Sequence, residues 1–152
     1  MKKKFLLDTN TVSALAQKYA EHHIAVALKA SALDNNDELY ISIVSLYEME
    51  YGARHAKNSR TALEMRTAIE AVKNSFAILG LTTDSAKIFA ELKERYQQAT
   101  GIGKKALIKH NVDFIIAATA IENKAIIVSN DCKMFSTIQK FQSDFQWEDW
   151  TQ

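Results

Sequence analysis

The stretch that decides the fold is KFLLDTN, residues 4–10. Its first four residues, Lys4–Leu7, form a short and largely apolar run that ends at Asp8, and a run of this kind predicts a buried strand. The polar residues behind the run predict a turn that leads into a helix. The same pattern returns at residues 125–129, an apolar run that is followed by Asp131. We therefore predict two buried strands, each followed closely by an aspartate at its C-terminal end.

Strands and helices alternate along the rest of the chain. The further strands are predicted at residues 39–43, 76–81 and 145–147. Two helical segments are predicted by range, residues 12–33 with a break near His22 and His23, and residues 59–75. Three more helices are predicted from their first residues: one begins after a cap at Ser45, one begins after a cap at Thr83 or Asp84, and one begins at Asp113. This alternation predicts an α/β fold in which a mostly parallel sheet is covered by helices on both faces.

Length, composition and charge narrow the class of protein. A chain of 152 residues, 47% of them hydrophobic, has the size of one folded domain, which we place at residues 1–152. The single cysteine, Cys132, cannot form an internal disulfide, and the apolar run after MKKK stops at Asp8. We therefore expect a cytoplasmic protein without a signal peptide or a membrane segment. The net charge is only +1, so RNA would have to be held by local basic patches and bound cations.

Acidic residues occupy positions that are typical of a metal site. Asp8 and Asp131 follow predicted strands, Asp113 begins a helix, and the first turns of another helix contain Glu48. Because ligands of parallel sheets bind at the carboxyl ends of the strands, these carboxylates can meet at one edge. Grouped carboxylates repel one another unless a cation joins them, and oxygen-only ligands suit Mg²⁺ or Mn²⁺. Such an ion can activate water and stabilise the charge that develops on a phosphodiester.

Each acid also has a purely structural explanation. Asp8 could be a turn residue or a helix N-cap, Asp113 could be an N-cap, and Asp131 could be a turn residue. Ser45 and Glu48 have the spacing of a capping box, in which the glutamate bonds back to the backbone. The metal-site interpretation therefore depends on the shared placement of the four acids rather than on any one of them.

A local basic cluster precedes Asp113. Its members are Lys104, Lys105, Lys109 and His110. One interpretation is that these residues bind RNA phosphates, in which case binding would be sensitive to salt. The other is that they only form a solvated surface in and after a loop predicted at residues 99–105. The sequence favours neither.

Four blocks of sequence resemble the PIN-domain nucleases. In the first half of the chain they are FLLDTN at residues 5–10 and ISIVSLYE at residues 41–48, with YGA shortly after. In the second half they are DFIIAATA at residues 113–120 and IIVSND at residues 126–131. The blocks span nearly the whole chain in the order of the family, and the chain is similar in size to the VapC-type toxins of bacterial type II toxin–antitoxin pairs.

The resemblance implies a PIN-like three-layer sandwich and a metal-dependent endoribonuclease that uses Mg²⁺ or Mn²⁺. It implies that Asp8 and Asp113 are the central metal ligands and that Glu48 and Asp131 complete the acidic site.

The resemblance also implies supporting residues and partners. Asn10 and Ser129 fall where the family often has polar residues next to the ligands. The implied partners are an RNA substrate, a second copy of the chain in a homodimer, and a small antitoxin whose tail docks over the site.

Two other classes of function stay open at this point. The chain could be a catalytically weak PIN-like module that acts through a protein partner and operator DNA. It could also be an α/β phosphatase that acts on small molecules. Asn10 stands two residues after Asp8, where a phosphatase with an aspartyl nucleophile would carry a second acid, and this counts against the phosphatase.

Overall fold

A five-stranded sheet forms the centre of the molecule, which a computed structural model describes from residue 2 to residue 152. Its strands are β1 (Lys4–Leu7), β2 (Glu38–Ser42), β3 (Ala77–Leu79), β4 (Ile126–Val128) and β5 (Trp147–Glu148). They lie in the order β3-β2-β1-β4-β5, and each neighbouring pair is parallel. The α/β class is therefore confirmed, and the sheet that was predicted to be mostly parallel is parallel throughout residues 2–152.

Helices cover both faces of this sheet. They are α1 (Thr9–Ala16), α2 (His23–Ser31), α3 (Ile43–Arg54), α4 (Ser59–Ser75), α5 (Thr83–Thr100), α6 (Lys104–Ile108), α7 (Asn111–Asn123) and α8 (Cys132–Phe141). Helices α1 to α4 contribute to one core, and α5 to α8 contribute to the other, which confirms the three layers. None of the helices in the described part of the chain has the length and apolarity that a membrane span requires.

The alternation of side chains along β1 separates the two cores. Leu6 packs in the core that contains Phe114, whereas Phe5 and Leu7 pack in the core that contains Val26. All of these side chains are almost completely buried. Because β1 is buried on both faces, its carboxyl end is held rigidly in the middle of the sheet.

The carboxyl ends of β1 and β4 lie side by side. Asp8 donates a backbone hydrogen bond of 3.0 Å to the Val128 carbonyl, which extends the ladder between the two strands by one residue. The residues that follow each strand therefore start from neighbouring positions at one edge of the sheet, as the sequence predicted.

Helix α3 begins earlier than the sequence predicted. Ser42, at the end of β2, is its N-cap, and the Ser42 hydroxyl accepts a 3.1 Å hydrogen bond from the backbone N–H of Val44. The predicted capping box between Ser45 and Glu48 is therefore wrong, because Ser45 is inside the helix and buried. This shift leaves the Glu48 side chain free to make a contact outside its own helix.

The cap of α5 also differs by one position. Thr82, rather than Thr83 or Asp84, is the N-cap, and it forms a capping box with Ser85. The Thr82 hydroxyl accepts a 3.0 Å bond from the Ser85 backbone N–H, and the Ser85 hydroxyl accepts a 3.2 Å bond from the Thr82 backbone N–H. A serine can complete the box in place of the more usual glutamate because both partners are close.

Candidate active site

Asp8 is a buried carboxylate at the carboxyl end of β1. Its Oδ1 accepts a 2.9 Å hydrogen bond from the Thr11 backbone N–H, so Asp8 is also the N-cap of α1. The residue is only 7% exposed. Burial raises the pKa of Asp8, and the negative charge of Asp131 adds to this rise, whereas hydrogen bonds from Ser129 and Thr11 oppose it. The ionised form of Asp8 is therefore a buried charge that these neighbours compensate only in part.

Asp113 belongs to α7, which packs on the opposite face of the sheet from α1. It lies in the first turn of α7 and is partly buried. Burial raises the pKa of Asp113, and the charges of Asp131 and Asp8 raise it further. His110 opposes the rise, since its Nδ1 lies 3.6 Å from Asp113 Oδ2. The repulsion among these acids shows that the fold brings Asp8, Asp113 and Asp131 within electrostatic range of one another.

Glu48 belongs to α3, and a hydrogen bond from Thr9 connects its side chain to the start of α1, next to Asp8. The Thr9 hydroxyl donates a hydrogen bond to the Glu48 carboxylate and lies 3.0 Å from Ser45 Oγ. These three side chains join the start of α1 to the second turn of α3, across 36 to 39 positions of sequence. The contact holds Glu48 on the side of α3 that faces Asp8.

Asp8, Glu48 and Asp113 all line one cavity of about 220 Å³. It is lined by Asp8, Thr9, Asn10, Glu48, Lys109, Val112, Asp113 and Ile116. Three carboxylates, one amide and one ammonium group therefore face a space that is large enough for a phosphate group or several water molecules. The apolar side chains come from α7 and form one wall.

Asp131 stands beside this cavity rather than among its lining residues. Its Oδ1 accepts a 3.2 Å hydrogen bond from the Met134 backbone N–H, which makes Asp131 the N-cap of α8. The Asp131 backbone N–H in turn donates a 3.0 Å bond to the Ser129 hydroxyl, which also contacts Asp8. Ser129 thus lies between the two acids, and Asp131, for which the sequence offered a turn as the structural explanation, is a helix N-cap that also acts electrostatically on Asp8.

The basic cluster divides in the structure. Lys109 lines the acidic cavity, and His110 contacts Asp113. Lys104 and Lys105 do not line it, and both are exposed in α6. The loop that was predicted at residues 99–105 is therefore shorter, because α5 continues to residue 100 and a new helix begins at residue 104.

The donor set fits a hard divalent cation. Mg²⁺ is commonly bound by one or two carboxylates with water as the remaining ligands, and Asp8 and Asp113 can supply such a pair. Within residues 2–152, no group of three His, Cys, Asp or Glu side chains lies close enough to form a complete metal centre without rearrangement. One oxygen of each of three carboxylates accepts a hydrogen bond from the protein: Glu48 Oε1 from Thr9, Asp131 Oδ1 from Met134 and Asp8 Oδ1 from Thr11.

Thr9 and Ser45 are the residues that sequence reasoning missed. Thr9 was noted only as part of a turn, and Ser45 was assigned to a cap. Their contact joins two helices that are distant in sequence, so periodicity and capping rules contain no signal for it. The only available signal was the position of Thr9 directly after Asp8.

Asp8→Asn is expected to raise the thermal stability of the metal-free protein. Because the pKa of Asp8 is raised in the folded state, the stabilisation from this group is complete below its ordinary value of 3.8 and is lost as the pH rises through the folded-state value. At neutral pH asparagine removes the buried charge and can still cap α1. We expect Tm to rise by roughly 2–4 °C, which corresponds to about 1 kcal/mol in a domain of this size.

Calorimetry in EDTA at neutral pH and near pH 4 measures this effect. The difference between variant and wild type should shrink at the lower pH, because a raised pKa means that the wild-type carboxyl takes up its proton at a higher pH in the folded state than in the unfolded chain. A variant that melts below wild type at neutral pH contradicts the electrostatic account of Asp8.

Comparison with known proteins identifies the family of the fold. The model of the PIN domain family matches residues 5–140. The chain is 27% identical over 150 residues to ribonuclease VapC1 from Haemophilus influenzae, which covers 97% of this chain and 98% of that protein. It is 25% identical over 134 residues to ribonuclease VapC2 from Rickettsia felis, which covers 88% of this chain and 91% of that protein.

Solved structures share the same architecture. VapBC2 from Rickettsia felis, bound to a DNA fragment from its promoter, superimposes with a TM-score of 0.74 at 22% identity, over 97% of this chain and 98% of that one. VapBC-5 from Mycobacterium tuberculosis, a member of the VapBC family of toxin–antitoxin systems, superimposes with a TM-score of 0.62 at 17% identity, over 96% of each chain. Because the family model spans most of the sequence and these structures share its fold, the chain belongs to the PIN domain family.

Proposed function

We propose that this PIN domain is a metal-dependent endoribonuclease and the toxin of a toxin–antitoxin pair. The observation that carries the proposal is the convergence of Asp8, Glu48 and Asp113 on one cavity, although they come from three separate segments of the chain. Support also comes from the two similar proteins, which are ribonucleases and match this chain over nearly their full length.

Asp8 and Asp113 are the proposed ligands of Mg²⁺ or Mn²⁺. A bound ion would supply positive charge next to a phosphoryl oxygen and would lower the pKa of a water molecule. Ser129 and the Thr11 backbone N–H hold the Asp8 carboxylate in place, and His110 holds Asp113. We assign Glu48 and Asp131 to completing the negative site, with Thr9 orienting Glu48.

Lys109 is the proposed contact to the RNA backbone. Its ammonium group is the positive charge among the lining residues of a cavity that otherwise contains carboxylates. It can attract a phosphate that the acids would repel, and it can keep the scissile phosphate close to Asp8 and Asp113. Asn10, at the rim of the same cavity, can donate an amide hydrogen bond to the nucleotide.

The proposed activity is tested on a labelled single-stranded RNA with purified protein. We expect cleavage with Mg²⁺ or Mn²⁺, no cleavage in EDTA, and recovery when the ion is added back. A protein that binds its partner and DNA but cuts no RNA with either ion would instead be a catalytically weak binding module.

Lys109→Met is expected to weaken RNA binding without unfolding the protein. Lys109 is exposed at the rim, so methionine replaces its charge while keeping a similar length. We expect KM for RNA to rise roughly tenfold, and the slope of log binding constant against log salt to fall by about one, because one phosphate contact is lost.

Lys104→Met is the matched control. Lys104 belongs to the same basic cluster but does not line the cavity. Cleavage rates measured across a salt series should change much less for this variant. Equal effects of the two substitutions would show that the cluster acts only through its total charge.

A protein partner is proposed to bind next to the site. A groove of about 510 Å³ lies between the end of α1 and the α4 side chains of Leu63 and Thr67. A smaller cavity shares Gln17 with this groove and shares Thr9 and Glu48 with the acidic cavity. This continuous track fits an antitoxin that anchors in the groove and extends a tail toward the carboxylates.

Leu63→Glu is expected to weaken inhibition by the antitoxin at least tenfold. Leu63 is 68% exposed, so the substitution leaves the core intact but places a charge in the apolar groove. The measurement is inhibition of RNA cleavage by the protein encoded in the neighbouring reading frame. Inhibition of the variant at the wild-type concentration of antitoxin contradicts this docking site.

A further inference from the structure

We propose that the exposed face of α3 is a stacking surface for unpaired RNA bases, formed by Tyr47, Tyr51 and His55. We call this set the aromatic face. The proposal rests on the ribonuclease function proposed above and adds a binding surface, outside the acidic cavity, for the bases next to the scissile phosphate.

The three rings follow the repeat of the helix. They are spaced four residues apart, so they lie along one side of α3 and of its C-terminal cap. Tyr47 is 72% exposed and Tyr51 is 66% exposed. The centroids of the Tyr51 and His55 rings are 4.1 Å apart with an angle of 33° between the planes. Flat rings thus stand free of the core, and two of them contact each other in a tilted arrangement.

The aromatic face adjoins the acidic cavity. Glu48, which lines the cavity, follows Tyr47 directly and precedes Tyr51 by one turn. At about 100° per residue, Tyr51 lies only about 60° from Glu48 around the helix axis. A strand whose phosphate sits in the cavity can therefore lay its neighbouring bases along α3.

The chemistry of the face fits nucleotides. The exposed positions of α3 carry Tyr47, Glu48, Tyr51 and Arg54, and none of them is aliphatic. Arg54, together with Lys57 shortly after the helix, can contact phosphates. Aromatic rings next to cations are the composition that binds single-stranded nucleic acid.

Fluorescence anisotropy with short RNAs tests the proposal. The probes are a labelled oligo(A) single strand, an abasic strand of equal length, and the oligo(A)–oligo(U) duplex. Binding is measured in EDTA and in Mg²⁺ at early times, while cleavage is followed separately. The stacking proposal and the ribonuclease proposal can therefore fail independently.

The variant is Tyr47→Leu with Tyr51→Leu, which keeps apolar side chains but removes the flat rings. We expect oligo(A) to bind at least tenfold more weakly, which corresponds to about 1.4 kcal/mol, and the abasic strand to bind as it does to wild type. Tyr47→Phe with Tyr51→Phe should restore oligo(A) binding. Tyr19→Leu is the matched control, since Tyr19 is 85% exposed and lies outside α3 and the acidic cavity.

Any one of three results would overturn the proposal. The first is an unchanged affinity of the double leucine variant for oligo(A); if that variant also changes from dimer to monomer, the face is a contact between copies of the chain. The second is equal binding of the oligo(A) and abasic strands by wild type. The third is no binding of oligo(A) by wild type in either buffer.

Discussion

Asp113→Asn is expected to reduce metal-dependent RNA cleavage by about a thousandfold or more. A divalent ion contributes several kcal/mol to the stabilisation of a phosphoryl transition state, and each 1.36 kcal/mol is a factor of ten in rate. Asparagine keeps the shape of the side chain but removes one of the two charges that we propose to hold the ion. It also removes the repulsion from Asp8 and Asp131, so the fold should not be destabilised.

Single-turnover cleavage of labelled RNA at saturating protein measures this loss. Asp84→Asn is the matched control, because Asp84 is likewise an acid in the first turn of a helix but is exposed and remote from the cavity. We expect the control to cleave at the wild-type rate. An Asp113→Asn protein that cleaves within a few-fold of wild type contradicts the role of Asp113.

Phe114→Ala is expected to lower the free energy of unfolding by about 3–5 kcal/mol. Phe114 is fully buried in the core between the sheet and the second set of helices. Its ring meets Tyr96 edge-on at 5.3 Å and Phe89 at 6.3 Å between centroids. The substitution removes these contacts and leaves a cavity directly behind Asp113.

Urea denaturation measures the change, with an m-value that should stay close to wild type. Phe141→Ala is the control, since Phe141 packs against the same core but is only partly buried, and we expect a smaller loss. A loss below about 1 kcal/mol for Phe114→Ala would show that the core can close around the missing ring.

Much of the fold could be predicted because its signals are local. The apolar run of β1 and the amphipathic pattern of α4 are both found where they were predicted, and α4 has the predicted bounds. The start of α3 was predicted too late, because the hydroxyls of Ser42 and Ser45 are equivalent in sequence and only the extended backbone at the end of β2 selects Ser42. Strand β5 was placed one or two residues early, since short edge strands depend on pairing with a neighbour.

The sequence predicted which residues form the site, but it did not predict the contacts between them. The rule that parallel strands deliver ligands at their carboxyl ends brought Asp8 and Asp131 to the same edge. It could not show that Asp131 turns toward α8, or that Thr9 joins Glu48 to α1, because both depend on side-chain positions set by helix packing. The division of the basic cluster likewise depends on α6, a five-residue helix with little sequence signal.

The most direct test of the account is the position of a bound ion. A crystal of the protein soaked in Mn²⁺ would reveal the ion by its anomalous scattering. We predict one strong peak between the carboxylates of Asp8 and Asp113, and its loss in Asp113→Asn. A wild-type crystal with no peak in this cavity, from a protein that still cleaves RNA in EDTA, would contradict the account.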